Sequence, residues 1–203
     1  MTSVSAANFL PATVDLAALR AAAEQCRGRH LYQYASQTVF GEGAADARIV
    51  LVGEQLGNRE DQEGHPFVGP AGKLLDETLE RAQIDRRQVY ITNVVKHFKF
   101  TVQGKRRIHQ KPDAREITAC RPWLEAELTA IQPKALICLG ATAAQAIIGK
   151  AFRITQSRGE LVAINWCART LATWHPSAIL RMPDPDRRQA MQDQLIRDLI
   201  HAA

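Results

Sequence analysis

The chain has 203 residues, with 26 Lys+Arg against 21 Asp+Glu, 46% hydrophobic and 23% charged residues. That length suits one domain around one core, and the composition excludes collagen, coiled coil and a disordered chain. No apolar run approaches the roughly 18 residues that span a bilayer, and MTSVSAANFLPATVDL lacks the basic and apolar segments of a secretory leader. A cytoplasmic address is therefore expected, and Cys26, Cys120, Cys138 and Cys167 are not expected to form structural disulfides.

In chain order, DLAALRAAAEQ (15–25) reads as a helix with Asp15 as N-cap. RIVLVG (48–53) reads as a buried strand ending in glycine, followed by a polar loop over 54–69. Pro70 opens a helix, PAGKLLDETLERAQ, whose Leu74, Leu75 and Leu79 share a face. VYITN (89–93) is a strand, and a long basic loop follows it. Asp113 can cap a helix in which Ile117, Cys120, Leu124 and Leu128 keep helical spacing, with Pro122 expected to kink or split it. KALICLG (134–140) is a strand, ATAAQAIIG (141–149) a short helix, and LVAIN (161–165) and TLATW (170–174) are strands. The last helix starts at Asp184 and Pro185 and runs toward His201. This alternation predicts an α/β fold: a single three-layer domain over 1–203, with a central, mainly parallel four-stranded sheet flanked by helices.

Residues 86–112 hold eight basic residues (Arg86, Arg87, Lys96, Lys99, Lys105, Arg106, Arg107, Lys111) and no acid, leaving 18 basic against 21 acidic elsewhere. A basic segment on an acidic body is an electrostatic footprint for a polyanion, and Phe98 and Phe100 among the cations offer rings for stacking bases. A solvated loop with a chance cluster of charge has the same composition, so charge alone leaves a nucleic-acid partner open.

Ligands of such sheets bind beyond the carboxyl ends of the strands. Three polar motifs stand there: Gly53-Glu54-Gln55, Thr92-Asn93 and Trp174-His175-Pro176-Ser177. A carboxylate, a carboxamide and an imidazole can converge on one small planar ligand, and Phe67 can stack on its ring. A strand-end histidine alone serves as often for structure as for chemistry.

GEQLGNREDQEGHPFVGPAGKLLD (53–76), ITNVVKHFKF (91–100), ACRPWL (119–124), KALICLGATAA (134–144) and HPSAILR (175–181) together resemble the Fe–S branch of the uracil-DNA glycosylase superfamily, related to family 4. The resemblance covers roughly residues 15–200. GKRRIHQKP (104–112) resembles the insertion loop of the UdgX type, which becomes covalently attached to uracil-containing DNA, so a basic insertion is expected at about 96–112.

The resemblance implies that Phe67 stacks on a flipped uracil, that Asn93 bonds its Watson–Crick edge, and that Gln55 completes the base pocket. It implies that His175 donates to O2 as the glycosidic bond breaks, and that His109 then attacks C1′. Glu54 would accept a hydrogen bond from the other ring nitrogen of His109. Ala178–Leu180 would fill the space left by the base. Arg181 and Ser177 would contact DNA, while Lys105, Arg106 and Arg107 would anchor the loop or bind phosphate. Uracil-containing DNA, preferably single-stranded, is the implied partner of a monomer that needs no membrane. An ordinary multiple-turnover glycosylase and a non-catalytic uracil-DNA binder are the alternatives.

Two departures from the family pattern lie in the first motif, where Leu56 replaces proline and Asn58 an aspartate. A third concerns the [4Fe–4S] cluster that the resemblance implies. Cys26, His97 and Cys120 occupy three ligand positions, but Arg29 replaces a cysteine and cannot ligate iron; adjacent His30 could substitute if the loop shifts by one residue, and otherwise the cluster would have three protein ligands or be absent. Buried free thiols are the other reading of Cys26 and Cys120. Cys138 reads as core, and Cys167 has no counterpart.

Overall fold

The computed structural model describes residues 5–28 and 30–203. The start of the N-terminal leader reading and the place of Arg29 in a ligand set therefore lie outside the described residues.

The strands are β1 (Ile49–Gly53), β2 (Val89–Asn93), β3 (Phe100–Gln103), β4 (Arg106–His109), β5 (Ala135–Leu139), β6 (Val162–Ile164) and β7 (Cys167–Thr173). The helices are α1 (Leu16–Glu24), α2 (Asn58–Glu63), α3 (Pro70–Arg81), α4 (Ala114–Ile131), α5 (Ala141–Ile147), α6 (Ile154–Ser157), α7 (Pro176–Leu180) and α8 (Pro185–Ala202). One sheet has the order β2-β1-β5-β7-β6, and β3 and β4 form a separate antiparallel hairpin. The first four strands of the sheet are parallel, and β6 runs antiparallel to β7. The expected four-stranded sheet is thus its parallel part. A fifth edge strand extends it, because the short Asn165-Trp166 connection can join only an antiparallel neighbour.

Every residue of β1, β2 and β5 is buried, as parallel strands covered on both faces require. The pleat sorts their side chains. Val50, Val52, Tyr90, Leu136 and Cys138 pack with Leu19 and Ala23 of α1, with Trp123, Leu124 and Leu128 of α4, and with Ala143 and Ala144 of α5. Ile49, Leu51, Val89, Ile91, Ile137 and Leu139 pack with Leu74, Leu75 and Leu79 of α3 and with Leu195 and Leu199 of α8. These are the three layers.

Asp15, Asp113 and Asp184 each accept a backbone N–H at the start of α1, α4 and α8, and Pro70 and Pro185 stand in the first turns of α3 and α8. Pro122 does not split α4, which runs through it. Buried Cys120, Trp123, Leu124 and Leu128 on either side of it offset the ~3 kcal/mol that an interior proline costs.

The segment 54–69 is not all loop, since it contains α2, closed by Gly64 at φ 81°. The basic segment is not a loop either. Register pairs Gln103 with Arg106, leaving the two-residue turn Gly104-Lys105, and Gly104 supplies φ 60° there. Neither Lys96 nor Phe98 faces solvent. Phe98 stacks on Phe100 at 5.1 Å and packs with Val39 and Leu56 beneath the hairpin, so this pair is a small core rather than a platform for bases. Leu56 is buried in it and carries the hairpin. Among the described residues, no helix is long and apolar enough to cross a membrane. All four cysteines are free and buried.

Candidate active site

The carboxyl ends of β1, β2, β5 and β7 meet in a cleft of about 600 Å³. Gly53 and Asn93 lie side by side in register at its floor. A Cβ on Gly53 would stand 2.3 Å from Asn93 Oδ1 and 2.8 Å from Phe67 Cζ, so only glycine admits both side chains. Asn93 is buried, and its Oδ1 has no hydrogen-bond partner. A buried, unpaired amide oxygen is costly unless a partner satisfies it, so Asn93 Oδ1 is an open acceptor at the floor of the cleft. Phe67 sits at φ 58°, unusual for an aromatic residue. Gly72 permits that loop, since a Cβ there would lie 1.5 Å from the Phe67 carbonyl oxygen. The Phe67 ring faces the His175 ring at 5.8 Å and 28°.

His175 stands one residue beyond the end of β7, after Trp174. Its Nδ1 accepts the Ser177 N–H at 3.1 Å and lies 2.8 Å from the Ser177 hydroxyl. A backbone N–H can only donate, so the ring proton is on Nε2. Burial first, then the charge of Arg181, pushes the His175 pKa down to about 4. His175 is therefore a neutral donor, and Ser177 fixes its tautomer; that hydroxyl turns toward the imidazole.

His109 ends β4 and brings the hairpin to the cleft. Its Nε2 lies 2.8 Å from Gln55 Nε2 and 3.6 Å from Glu54 Oε1. A carboxamide NH₂ only donates, so His109 Nε2 carries the lone pair and Nδ1 the proton. Burial lowers the His109 pKa, opposed by Glu54 and reinforced by Arg181. The expectation for Glu54 is corrected here: it approaches the same nitrogen as Gln55, not the opposite one. Gln55 lines the cleft, and its side chain is committed to the hairpin: the amide nitrogen also donates to the Gln110 carbonyl at 2.8 Å and the oxygen accepts the Lys99 N–H at 3.0 Å, which leaves the backbone as its route to a bound base. Thr142, at the start of α5, donates to Glu54 Oε2 at 2.5 Å and fixes the carboxylate.

Lys105 and Arg106 are exposed at the hairpin turn, and exposed Arg181 borders the cleft. Arg107 is not available for phosphate. Its guanidinium donates to Asp61 Oδ2 and to Asn58 Oδ1, both at 2.6 Å, and lies over the Phe98 and Phe100 rings. The two departures in the first motif thus both serve the hairpin, Leu56 from below and Asn58 through Arg107.

Among the described residues, no group of three His, Cys, Asp or Glu side chains is placed to hold a metal ion. His97 Nε2 pairs with Thr38 Oγ1 at 2.9 Å, and burial pushes its pKa down to about 4. Cys120 Sγ accepts the Lys96 N–H at 3.2 Å, and burial raises its thiol to about 11. Cys26 Sγ accepts the Gly28 N–H at 3.4 Å, and exposed His30 sits 3.4 Å from Glu116 Oε1. Among the described residues these donors are thus bonded to protein groups and are not gathered into a metal site.

The site offers a slot walled by an aromatic ring, an unpaired amide at one edge, a neutral imidazole donor, and a second imidazole beside a carboxylate. The sequence profile described as the Uracil DNA glycosylase superfamily matches residues 40–200. The chain belongs to the uracil-DNA glycosylase superfamily. It is 37% identical to a type-4 uracil-DNA glycosylase of Thermotoga maritima over 175 residues, covering 85% of this chain and 86% of that one. A type-4 enzyme of Sulfurisphaera tokodaii is 35% identical over 184 residues, covering 86% and 80%. The solved structure of Pedobacter heparinus SMUG2 shares the fold at a TM-score of 0.56, with 15% identity over 76% of this chain and 75% of that one. Within this superfamily member, sequence reasoning missed Thr142, although it stands one residue past Gly140-Ala141 at the end of β5, where the strand-end rule points.

Proposed function

We propose that this protein excises uracil from DNA, preferably single-stranded, and ends covalently linked through His109 to C1′ of the sugar. The observation that supports this most is the hairpin, which sets His109 against Glu54 and Gln55 at the cleft mouth. Names of relatives more than 30% identical over most of the chain support the substrate class.

A single strand presents its base without the few kcal/mol of unpairing that a duplex demands. Phe67 stacks on the uracil, and Asn93 Oδ1 accepts its N3–H, which fills the empty acceptor in the floor. Cytosine offers no such proton at N3. As the C1′–N1 bond breaks, its electron pair passes to the base, and His175 Nε2–H steadies the charge at O2. The Nε2 lone pair of His109 then bonds C1′, after the Gln55 N–H withdraws from it. The imidazolium so formed keeps the Nδ1 proton and lies beside the Glu54 carboxylate, which Thr142 holds in place. The nucleophile is consumed, so one turnover is the limit.

A denaturing gel after mixing with a uracil-containing single strand tests this. The unmodified protein gives a band that survives SDS and heat. His109→Ala gives none, yet still binds uracil through Phe67, Asn93 and His175, and a water admitted beside Glu54 releases abasic DNA. An SDS-stable band from His109→Ala would assign the nucleophile elsewhere.

A further inference from the structure

Asn93 sits over a charge pair sealed inside the protein. Lys96 and Glu127 are both fully buried. The Lys96 ammonium has three protons and three oxygen partners: Glu127 Oε2 at 2.5 Å, Thr92 Oγ1 at 2.5 Å, and the Asn93 carbonyl oxygen at 2.8 Å. Glu127 Oε1 accepts Tyr90 Oη at 2.9 Å, Thr92 Oγ1 at 3.0 Å and the Gly41 N–H at 3.1 Å. Gly41 is glycine for this network, since a Cβ there would lie 2.6 Å from Glu127 Oε1.

A buried ion pair contributes little stability compared with apolar side chains of the same volume, although breaking it is costly. Its effect here is geometric. Beyond Asn93 the chain leaves the sheet, with the Val94 and Val95 N–H groups bonded to the carbonyls of Gly53 and Glu54. Lys96 folds back from that turn onto the main chain of Asn93 and the side chain of Thr92. Gly53 confines the Asn93 side-chain amide, and Lys96 holds the main-chain carbonyl of the same residue.

We infer that Lys96 and Glu127 are positioning residues for uracil recognition, acting through Asn93 without touching the base. This rests on the glycosylase reading above, and not on His109 as nucleophile. Lys96→Met strands the Glu127 carboxylate; where that prevents folding, Lys96→Met/Glu127→Gln carries the test, because the new amide oxygen still accepts Tyr90 and Gly41. The readouts are single-turnover release of uracil, the concentration of free uracil that halves it, and the melting temperature.

A misplacement of about 1 Å costs up to about 100-fold. Release is expected to slow by roughly 10- to 100-fold, with free uracil competing more weakly by a similar factor and a cooperative melt retained. Variants within twofold of the unmodified protein in both release and competition would overturn the inference, whatever their melting temperature. Slower release with unchanged competition would also overturn it, because uracil recognition would be intact. If the unmodified protein released no uracil, the glycosylase reading would fail first, a distinct result.

Discussion

Arg107→Ala separates anchoring the hairpin from gripping DNA. Asp61 is completely buried, and Arg107 is its one ion-pair partner among the described residues. The substitution leaves that carboxylate with only the Ser36 N–H, at 3.0 and 3.2 Å to its two oxygens. Removing one partner of a buried pair costs about 3–5 kcal/mol. The retained N–H bonds, and an Arg107 side chain that is itself 19% exposed, put the cost at the lower end, about 3 kcal/mol. For a chain of this size that lowers the melting temperature by about 6–12 °C. Arg107→Ala/Asp61→Asn recovers most of the loss, since a neutral amide oxygen still accepts from Ser36. Calorimetry reads the first effect and a salt titration of binding the second. Each phosphate contact steepens the log K against log salt slope by somewhat less than one. Lys105→Ala and Arg106→Ala therefore flatten it by about one each, whereas Arg107→Ala leaves it unchanged. An unaltered melting temperature together with a flattened slope would show that Arg107 faces phosphate and that the anchoring argument is wrong.

Gly53→Ala places a methyl group 2.3 Å from Asn93 Oδ1, so it should slow uracil release about 100-fold; single-turnover kinetics at wild-type speed would mean that the floor of the slot yields. Acid should destabilise the protein through His97. Its folded pKa of about 4 lies below the ordinary value of 6.5, so the unfolded chain takes up the proton first. Stability is full above pH 6.5 and falls toward pH 4, by up to ~3 kcal/mol from this residue. Urea midpoints at pH 7 and pH 4.5 check this, and His97→Gln should show a smaller drop between them; an equal drop would remove His97 as the cause.

The sheet was legible because buried parallel strands are continuous apolar runs, and the long helices because Asp15, Pro70, Asp113 and Asp184 carry their capping chemistry in one residue each. The β3–β4 hairpin was not, since its strands are short and largely exposed and give no apolar alternation. The one local signal was Gly104 between two four-residue runs. At the site, Asn93, Glu54 and His175 follow from the strand-end rule. The tautomers of His109 and His175 do not, because each depends on a partner's donor that composition cannot reveal. Lys96 was misread for the same reason: a count of charges does not see the acid 31 residues away that neutralises it.

That misreading changes what the basic segment is for. Of its eight cations, Lys96 is paired with Glu127, Lys99 with Glu116, Arg107 with Asp61, Arg86 with Asp76 and Arg87 with Asp85. The pairs of Lys96, Lys99 and Arg107 reach carboxylates that are themselves buried, where an ion pair fixes geometry strongly. Lys99 and Arg107 stand on or beside the hairpin, and the main chain of Lys99 is also gripped by Gln55. Their charges tie down the hairpin that carries His109, and of the eight they leave Lys105, Arg106 and Lys111 exposed, with exposed Arg181 at the cleft. A segment so tethered carries its imidazole to the cleft with little freedom, which suits the role proposed for His109 above, since an attacking group must be held in place.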